Sequence, residues 1–228
     1  MRFTSIPNRG LVKVAGDDAF SFLQNIVTND LSLLDRQKML YACLLTPQGK
    51  FIHDFFITRH SDEFWLECEG GSRTEDLHKK LLLYKLRSKV TLEALPHIDV
   101  YATTEPTDYP DPRLKELGYR SYTKPQGTEM PFEEYDEQRI KLGVPDGSRD
   151  TELGVSTLEE LNIPQLNGVS YEKGCYIGQE LTARMHHRGL AKKHLRPFAK
   201  DSIPEGAETR SSAGNYVLAL VKDKDMQV

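Results

Sequence analysis

The 228-residue sequence predicts an α+β fold, and three observations support this. Hydrophobic residues make up 38% of the chain and charged residues 28%, which suits a globular protein and argues against disorder. Strand-like runs and one helical pattern follow in the order three strands, a helix and more strands, which indicates a mainly antiparallel sheet. No stretch approaches the roughly 20 apolar residues of a membrane-spanning helix. We therefore expect a globular protein without a membrane partner.

Six strands are predicted from runs of β-branched, aromatic and other apolar residues. In chain order they are 39–46, 51–59, 63–68, 90–95, 99–104 and 215–222. The first two are joined by Pro47-Gln48-Gly49-Lys50, in which Pro presets the turn and Gly supplies a positive φ, so we expect a hairpin. Alternation along the second strand predicts that one face carries Phe51, His53, Phe55 and Ile57.

Three helices are predicted from apolar residues at helical spacing. The first should begin after Asp17 or Asp18, either of which can cap it. The second follows Ser72-Arg73-Thr74-Glu75, a capping box, and should run to about Ser88. The third covers 132–142 and ends where a glycine follows.

The formal net charge of −4 hides two blocks of opposite sign. Acidic residues dominate from Glu129 to Glu160, and basic residues dominate from Lys173 to Lys200. The basic block suits a polyanionic ligand, an acidic protein or RNA. Nucleic acid ranks second because the block has few aromatic residues for base stacking. A simple solvated face explains the block as well.

The three cysteines are too few and too scattered for a disulfide framework, so reduced thiols are expected. Cys43 and Cys68 stand among apolar residues and should lie in the core. Cys175 follows Lys173 and Gly174. A nearby cation, together with backbone N–H groups if a helix starts at Gly174, would lower the pKa of its thiol and make it a nucleophile or metal ligand. A buried, inert cysteine in a tight turn is the alternative.

The stretch around Cys175 carries a family resemblance. Lys173-Gly174-Cys175-Tyr176-Ile177-Gly178-Gln179-Glu180 resembles the K-G-C-Y-x-G-Q-E signature of the YgfZ family, folate-binding proteins related to the glycine-cleavage T-protein. Four other stretches are similar to the family: Phe22-Leu23-Gln24-Asn25, Thr28-Asn29-Asp30-Leu31, Gly49-Lys50 and Leu166-Asn167-Gly168-Val169-Ser170. Bacterial members and their mitochondrial iron–sulfur assembly counterparts resemble nearly the whole chain.

The resemblance implies a T-protein-like ring of subdomains around a central folate site, followed by a small β-barrel. Residues 1–190 would form the folate-binding region, with an α+β subdomain at 40–104. Residues 191–228 would form a shortened barrel, because the family usually has more strand sequence between Glu205 and Ser211.

The implied function is that of a tetrahydrofolate-binding accessory factor for the assembly or repair of iron–sulfur proteins, with Cys175 as the reactive thiol. Tetrahydrofolate is the implied cofactor. A transient iron–sulfur cluster would be shared with a partner, such as an A-type carrier or a client enzyme. The residues implied near the folate are Glu160, Asp54, Asn29, Lys173, Tyr176, Gln179, Glu180 and Arg184. The amino terminus lacks the apolar run of a secretory signal, so we expect the cytoplasm, or the mitochondrial matrix in a eukaryote.

A folate-dependent aminomethyl transferase is the alternative function. The same T-protein-like scaffold implies this activity, and Asp54 could act as a general base or stabilise a cationic intermediate. T-proteins carry a pair of aspartates at this position, and the first member of the pair is His53 here. A third possibility, from the class of binding modules, is contact of residues 184–200 with RNA or an acidic protein.

Overall fold

The computed structural model describes residues 1–226, which form thirteen strands, four α-helices and four short 3₁₀ helices. The strands are β1 (Arg2–Ser5), β2 (Arg9–Ala15), β3 (Leu40–Leu45), β4 (Phe51–His60), β5 (Glu63–Glu69), β6 (Thr91–Ile98), β7 (Tyr101–Thr103), β8 (Tyr109–Pro110), β9 (Tyr119–Ser121), β10 (Thr128–Glu129), β11 (Lys193–Ala199), β12 (Glu208–Ala213) and β13 (Tyr216–Lys222). The α-helices are α1 (Ala19–Gln24), α2 (Ser72–Lys85), α3 (Phe132–Lys141) and α4 (Gln179–Arg188). The last two residues of the predicted barrel segment 191–228 lie outside the described residues.

The strands form three sheets. The first is antiparallel in the order β3-β4-β5-β2-β6. The second has the order β10-β1-β7-β9-β8, and within it only β1 and β10 run parallel among the described strands. The third is antiparallel in the order β11-β13-β12. Mainly antiparallel sheets with helices in separate stretches confirm the α+β prediction.

Both faces of the first sheet are covered. On one face Leu77 and Leu81 of α2 pack with α1 and with strand residues such as Val12. On the other face Tyr41 and Phe56 pack against the second sheet and the long segment before α4. Because both sides are buried, β3 is a continuous apolar run instead of an alternating one.

A β-bulge breaks the alternation that the sequence predicts for β4. The ladder pairs Leu44 with His53 and then Leu45 with Phe51, so β4 carries one extra residue at this point. A bulge reverses which side the following residues face. Phe51 therefore joins the core beside the second sheet, whereas Phe55 joins the core under the helices. The prediction that these two side chains share a face was wrong.

Helix α2 differs from the prediction at both ends. Its N-cap is Gly71 without a side-chain hydrogen bond, so Ser72 is the first helical residue and not the cap. The helix stops at Lys85 because Leu86 has a φ of 44°, outside the helical range.

The third sheet packs on α3 and contains the strands of residues 191–226. Its three strands pair in an open order, and the shortened barrel expected for this segment stays a prediction. A buried arginine joins the sheet to α3. Arg139 donates to Asp136 and Asp150, at 2.6 Å in each case, and its Nη2 donates to Ser211 Oγ of β12 at 2.9 Å. Two carboxylates of the acidic block, those of Asp136 and Asp150, thus neutralise the buried guanidinium group of Arg139. The division of the chain at residue 190 stays a prediction.

Within residues 1–226, no helix combines the length and the apolar character needed to cross a bilayer.

The imidazole of His53 links β4 to α2. Because of its surroundings, we expect acid to lower the stability of the folded protein. Its Nε2 lies 2.8 Å from Asp76 Oδ2 and its Nδ1 lies 3.0 Å from Arg73 Nη2. Burial and the charge of Arg73 lower the pKa of His53 to about 4, although Asp76 opposes them. Below the ordinary pKa near 6.5, the unfolded state therefore binds a proton that the folded state does not. The free energy of unfolding should fall as the pH drops from 6.5 towards 4, by at most about 1.4 kcal/mol per pH unit.

Denaturant unfolding of the wild type and His53→Gln between about pH 6.5 and 5 measures this contribution. The variant should lose less stability over that range than the wild type. His97→Gln, a change at an exposed histidine, should keep the wild-type slope. Identical slopes in the wild type and His53→Gln would contradict the prediction.

Candidate functional site at the signature loop

The signature loop, which we define as residues 167–178, is attached to the end of α1 by a buried lysine. Lys173 Nζ donates to the carbonyl oxygens of Gln24, Val27 and Asn29 at 2.7, 2.7 and 2.8 Å. These bonds use all three donors of an ammonium group. Burial lowers the pKa of Lys173 to about 8, so the group is still mostly charged at neutral pH. Lys173 therefore holds the loop in place, and none of its hydrogens is left for the Cys175 thiol or for a ligand.

Two side chains in the segment after α1 strengthen the same junction. Thr28 Oγ1 donates to Gly168 O at 2.7 Å and accepts from Cys43 N at 2.8 Å. Asn29 Nδ2 donates to Tyr41 O and to Asn167 O, at 2.8 Å in each case. The structure thus brings together the stretches around residues 22–31 and 166–170 that the sequence singled out, and it makes Asn29 a link between β3 and the signature loop.

The hairpin turn and the end of the signature loop meet at two glycines. Gly178 has a φ of 81°, and a Cβ added there would lie 2.6 Å from Thr46 O. A Cβ on Gly49 would lie 2.8 Å from Gly178 O and 2.7 Å from Leu181 Cβ. No side chain fits in this contact, which explains why both positions are glycine and fixes where α4 begins.

Between these anchors Cys175 reaches the solvent as a free thiol. A Cβ added to the neighbouring Gly174 would meet no atom within 4 Å, so the loop is open here. Helix α4 starts only at Gln179, with Gly178 as its N-cap. The condition considered from the sequence, a helix start at Gly174 with amide groups near the thiol, is therefore not met. The alternative of a buried cysteine was wrong.

The other two thiols lie in the core, as predicted. Cys43 and Cys68 are completely buried. Burial raises the pKa of Cys43 well above its ordinary value and that of Cys68 to about 11. Of the three cysteines, only Cys175 can meet a partner protein.

A cluster of an acid, a tyrosine and a histidine supports the loop, and it was not predicted from the sequence. Glu159 Oε1 accepts from Tyr171 Oη at 3.1 Å and lies 3.0 Å from His186 Nδ1. The rings of Tyr171 and His186 stack with centroids 3.9 Å apart. Burial and the charge of Glu159 raise the pKa of Tyr171, which keeps its hydroxyl a donor. The adjacent histidines at the end of α4 were the available signal, but they carry no indication that Glu159 is their partner.

The remaining residues of the signature have separate environments. Tyr176 is buried, its hydroxyl has no hydrogen-bond partner within residues 1–226, and burial raises its pKa to about 12. Gln179 begins α4, and its N–H donates to Tyr176 O at 3.3 Å. Glu180 and Arg184 are exposed and pair with each other at 2.8 Å.

Asp54 and Glu160 lie away from the cysteine-bearing part of the loop. Asp54 is on β4 and accepts from Tyr41 Oη at 2.8 Å. Burial raises the pKa of the Asp54 carboxyl, although Arg9 and the Tyr41 hydroxyl act against it. Glu160 Oε2 accepts from Thr157 N at 2.8 Å and from Thr157 Oγ1 at 2.9 Å, so it caps the turn that precedes it.

The interior beside Asp54 is filled by charged side chains. Arg9 and Arg120 both bind the carboxylate of Glu67 between the first two sheets, and their guanidinium groups lie over the ring of Phe56. A cavity of 140 Å³ remains next to Arg9 and Asp146. Pockets for ligands of drug size start at about 300 Å³. This cavity is therefore too small for a whole folate.

A larger cleft of about 550 Å³ lies beside the signature loop. Asn29, Tyr41 and Tyr171 belong to its lining, whereas Asp54 and Glu160 do not. Neither of these two cavities is lined by Asn29, Asp54 and Glu160 together, so neither fits tetrahydrofolate held by these three residues as a set. In the described part of the chain, no group of three or more His, Cys, Asp or Glu side chains is arranged to hold a metal ion.

Sequence comparison finds relatives over most of the chain. The family model for the GCVT N-terminal domain matches residues 6–97. The human mitochondrial iron–sulfur cluster assembly factor IBA57 is 32% identical over 93% of this chain and 72% of its own length. The mouse factor is 34% identical over 84% of this chain, and the Neurospora crassa homologue is 31% identical over 89%. The chain spans 64% of the mouse protein and 55% of the Neurospora protein.

Structural comparison identifies the fold. The crystal structure of the glycine cleavage system aminomethyltransferase T from Bartonella henselae matches 97% of this chain and 78% of its own, with a TM-score of 0.69 and 15% identity. The T-protein-like fold is thus confirmed. The comparisons do not single out the YgfZ family among proteins of this fold.

Proposed function

Because this chain belongs to the family of the mitochondrial iron–sulfur cluster assembly factor IBA57, a group with a T-protein-like fold, we propose that it takes part in the assembly of iron–sulfur proteins. The named relatives are mitochondrial factors. A cytoplasmic or matrix location for this chain stays a prediction.

The observation that supports the proposal best is the placement of Cys175. Its thiol is exposed on a loop that is fixed on one side by Lys173 and on the other by the contact of Gly49 with Gly178. A group that is already ordered before binding costs little conformational entropy when a partner arrives. Such a thiol suits contact with a metal cluster at the surface of another protein.

One thiol cannot hold a cluster alone, since iron–sulfur clusters are ligated by several cysteines. Residues 1–226 contain no further group of ligands that could complete such a site. The cluster is therefore cargo shared between two proteins. Cys175 supplies one ligand, and an A-type carrier or a client enzyme supplies the others.

The proposed function assigns no role to folate. Asp54 faces an interior filled by arginines, the amide of Asn29 joins two backbone segments, and Glu160 caps a turn. The aminomethyl transfer considered from the sequence would need these side chains around one ligand, so the geometry does not favour it.

Anaerobic reconstitution with ferrous iron, sulfide and an A-type carrier tests the role of Cys175. The wild type should elute together with the carrier as a complex with the visible absorption of an iron–sulfur cluster. Cys175→Ala should lose the shared cluster and fail to restore iron–sulfur enzyme activity in a strain that lacks its own relative. Its free energy of unfolding should stay within about 0.5 kcal/mol of wild type, because the side chain is exposed.

Cys68→Ala is the matched control, since it removes a buried thiol and leaves Cys175 intact. This variant should still form the coloured complex. A complex that survives Cys175→Ala, or that is lost equally in both variants, would overturn the proposed role of Cys175.

A further inference from the structure

The carboxyl end of α2 exposes leucines that the core does not use. Leu77 and Leu81 face the first sheet and are completely buried. Directly after them, Leu82, Leu83 and Leu86 have exposed fractions of 45%, 75% and 88%. Single exposed leucines are ordinary on protein surfaces, whereas three within five residues at one helix end form a patch.

The backbone at Leu86 makes this exposure more unusual. Its φ is 44° and its ψ is −110°, a conformation that favours glycine and carries strain for a leucine. With 88% of its surface open to solvent, the side chain packs on very little of its own chain. The leucine therefore offers its apolar surface to something outside the molecule.

The charged residues between Leu77 and Lys89 are all positive. From Leu77 to Lys89 there is no acidic residue and there are five basic ones: Lys79, Lys80, Lys85, Arg87 and Lys89. Two of them have acidic neighbours, since Lys80 lies 3.6 Å from Asp76 and Lys89 lies 3.9 Å from Asp17. The other three make no ion pair with any side chain that the structure describes. Along the chain, the exposed leucines thus alternate with basic residues, and the nearest acidic residues before them are Glu75 and Asp76 in the first half of α2.

We propose that this α2 tip, residues 79–87, attaches the protein to the surface of an anionic lipid bilayer. Apolar side chains would enter the boundary between headgroups and acyl chains, while lysine and arginine contact lipid phosphates. Side chains that are 75% and 88% exposed protrude from the surface. A protein partner would need a matching pocket for them, whereas a bilayer accepts protruding side chains without one. This proposal departs from the sequence-based expectation of no membrane partner. That expectation was based on the absence of a spanning segment, and surface attachment needs no such segment.

Co-sedimentation with lipid vesicles tests the proposal. The wild-type chain should bind vesicles of phosphatidylcholine mixed with phosphatidylglycerol, and it should not bind phosphatidylcholine alone. Leu83→Ser with Leu86→Ser should weaken binding at least about tenfold, since each buried leucine side chain contributes roughly that factor. Lys85→Gln with Arg87→Gln should weaken it about fivefold per charge, and binding of the wild type should fall as salt rises.

A matched control changes exposed apolar residues elsewhere. Leu153→Ser with Val155→Ser alters side chains that are 40% and 57% exposed, and this variant should bind anionic vesicles as the wild type does. Equal far-ultraviolet circular dichroism and thermal midpoints show that all variants are folded. The proposal is overturned if the wild type fails to bind anionic vesicles, if neutral vesicles bind equally well, or if the Leu153/Val155 double variant weakens binding as much as the Leu83/Leu86 double variant. Tip-dependent binding of a soluble protein without vesicle binding would identify a protein-docking surface instead.

Discussion

Replacing Glu67 by Ala should lower the free energy of unfolding by about 3–5 kcal/mol, the largest effect that we expect from a single substitution. Glu67 is completely buried. Its Oε1 accepts from Arg9 Nε at 2.7 Å and from Arg120 Nη2 at 2.5 Å, and its Oε2 accepts from Arg120 Nε at 3.1 Å. Burial by itself would raise the pKa of Glu67, but the two arginines outweigh it and the pKa is lowered. Truncation would leave two buried guanidinium groups without this carboxylate.

Denaturant unfolding of the wild type and Glu67→Ala measures the effect, which should also lower the Tm by roughly 2–4 °C for each kcal/mol. Glu93→Ala is the control on the same sheet. Glu93 is 60% exposed and pairs with Lys13 at 3.4 Å, so this change should cost no more than about 1 kcal/mol. A loss below about 1 kcal/mol for Glu67→Ala would show that the ion pairs between the sheets are not needed for stability.

Replacing Lys173 by Met should cost about 2–4 kcal/mol, because three buried carbonyl groups would lose a charged donor. Methionine has a similar length and keeps the apolar part of the packing. The carbonyl oxygens belong to the last residue of α1 and to the segment that follows it, so the variant should also loosen the junction that holds the signature loop. We expect faster proteolysis between residues 167 and 178 than in the wild type.

Thermal unfolding and limited proteolysis of Lys173→Met measure these two effects. Lys192→Met is the control, since Lys192 is exposed and its replacement should change stability by no more than about 0.5 kcal/mol. If Lys173→Met has the stability of the control, the three bonds do not hold the loop, and another contact must keep Cys175 in place.

The sequence by itself determined the class of fold and much of the first sheet. The hairpin of β3 and β4 follows from two apolar runs around Pro47 and Gly49, and the core positions of Cys43 and Cys68 follow from their apolar neighbours. These features depend on local patterns, which is why they could be predicted. The resemblance around Cys175 likewise depends on one contiguous motif, and it indicated the T-protein-like fold that the structural comparison confirms.

Only the tertiary structure decided what the conspicuous residues do. The strands β8 and β10 have only two residues each, too few for a pattern to mark them, and β10 exists through pairing with β1 at the other end of the described sheet's sequence span. Lys173 was expected to act on its neighbour in the sequence, but its ammonium bonds carbonyl groups almost 150 positions away. Asn29, Asp54 and Glu160 were expected around one folate. In the structure Asn29 donates to the carbonyl oxygen of Tyr41 and Asp54 accepts from the hydroxyl of the same tyrosine, whereas Glu160 accepts from Thr157. Hydrogen bonds and buried charges are satisfied between residues that are far apart in the sequence, and that pairing is set when the sheets and the signature loop pack together.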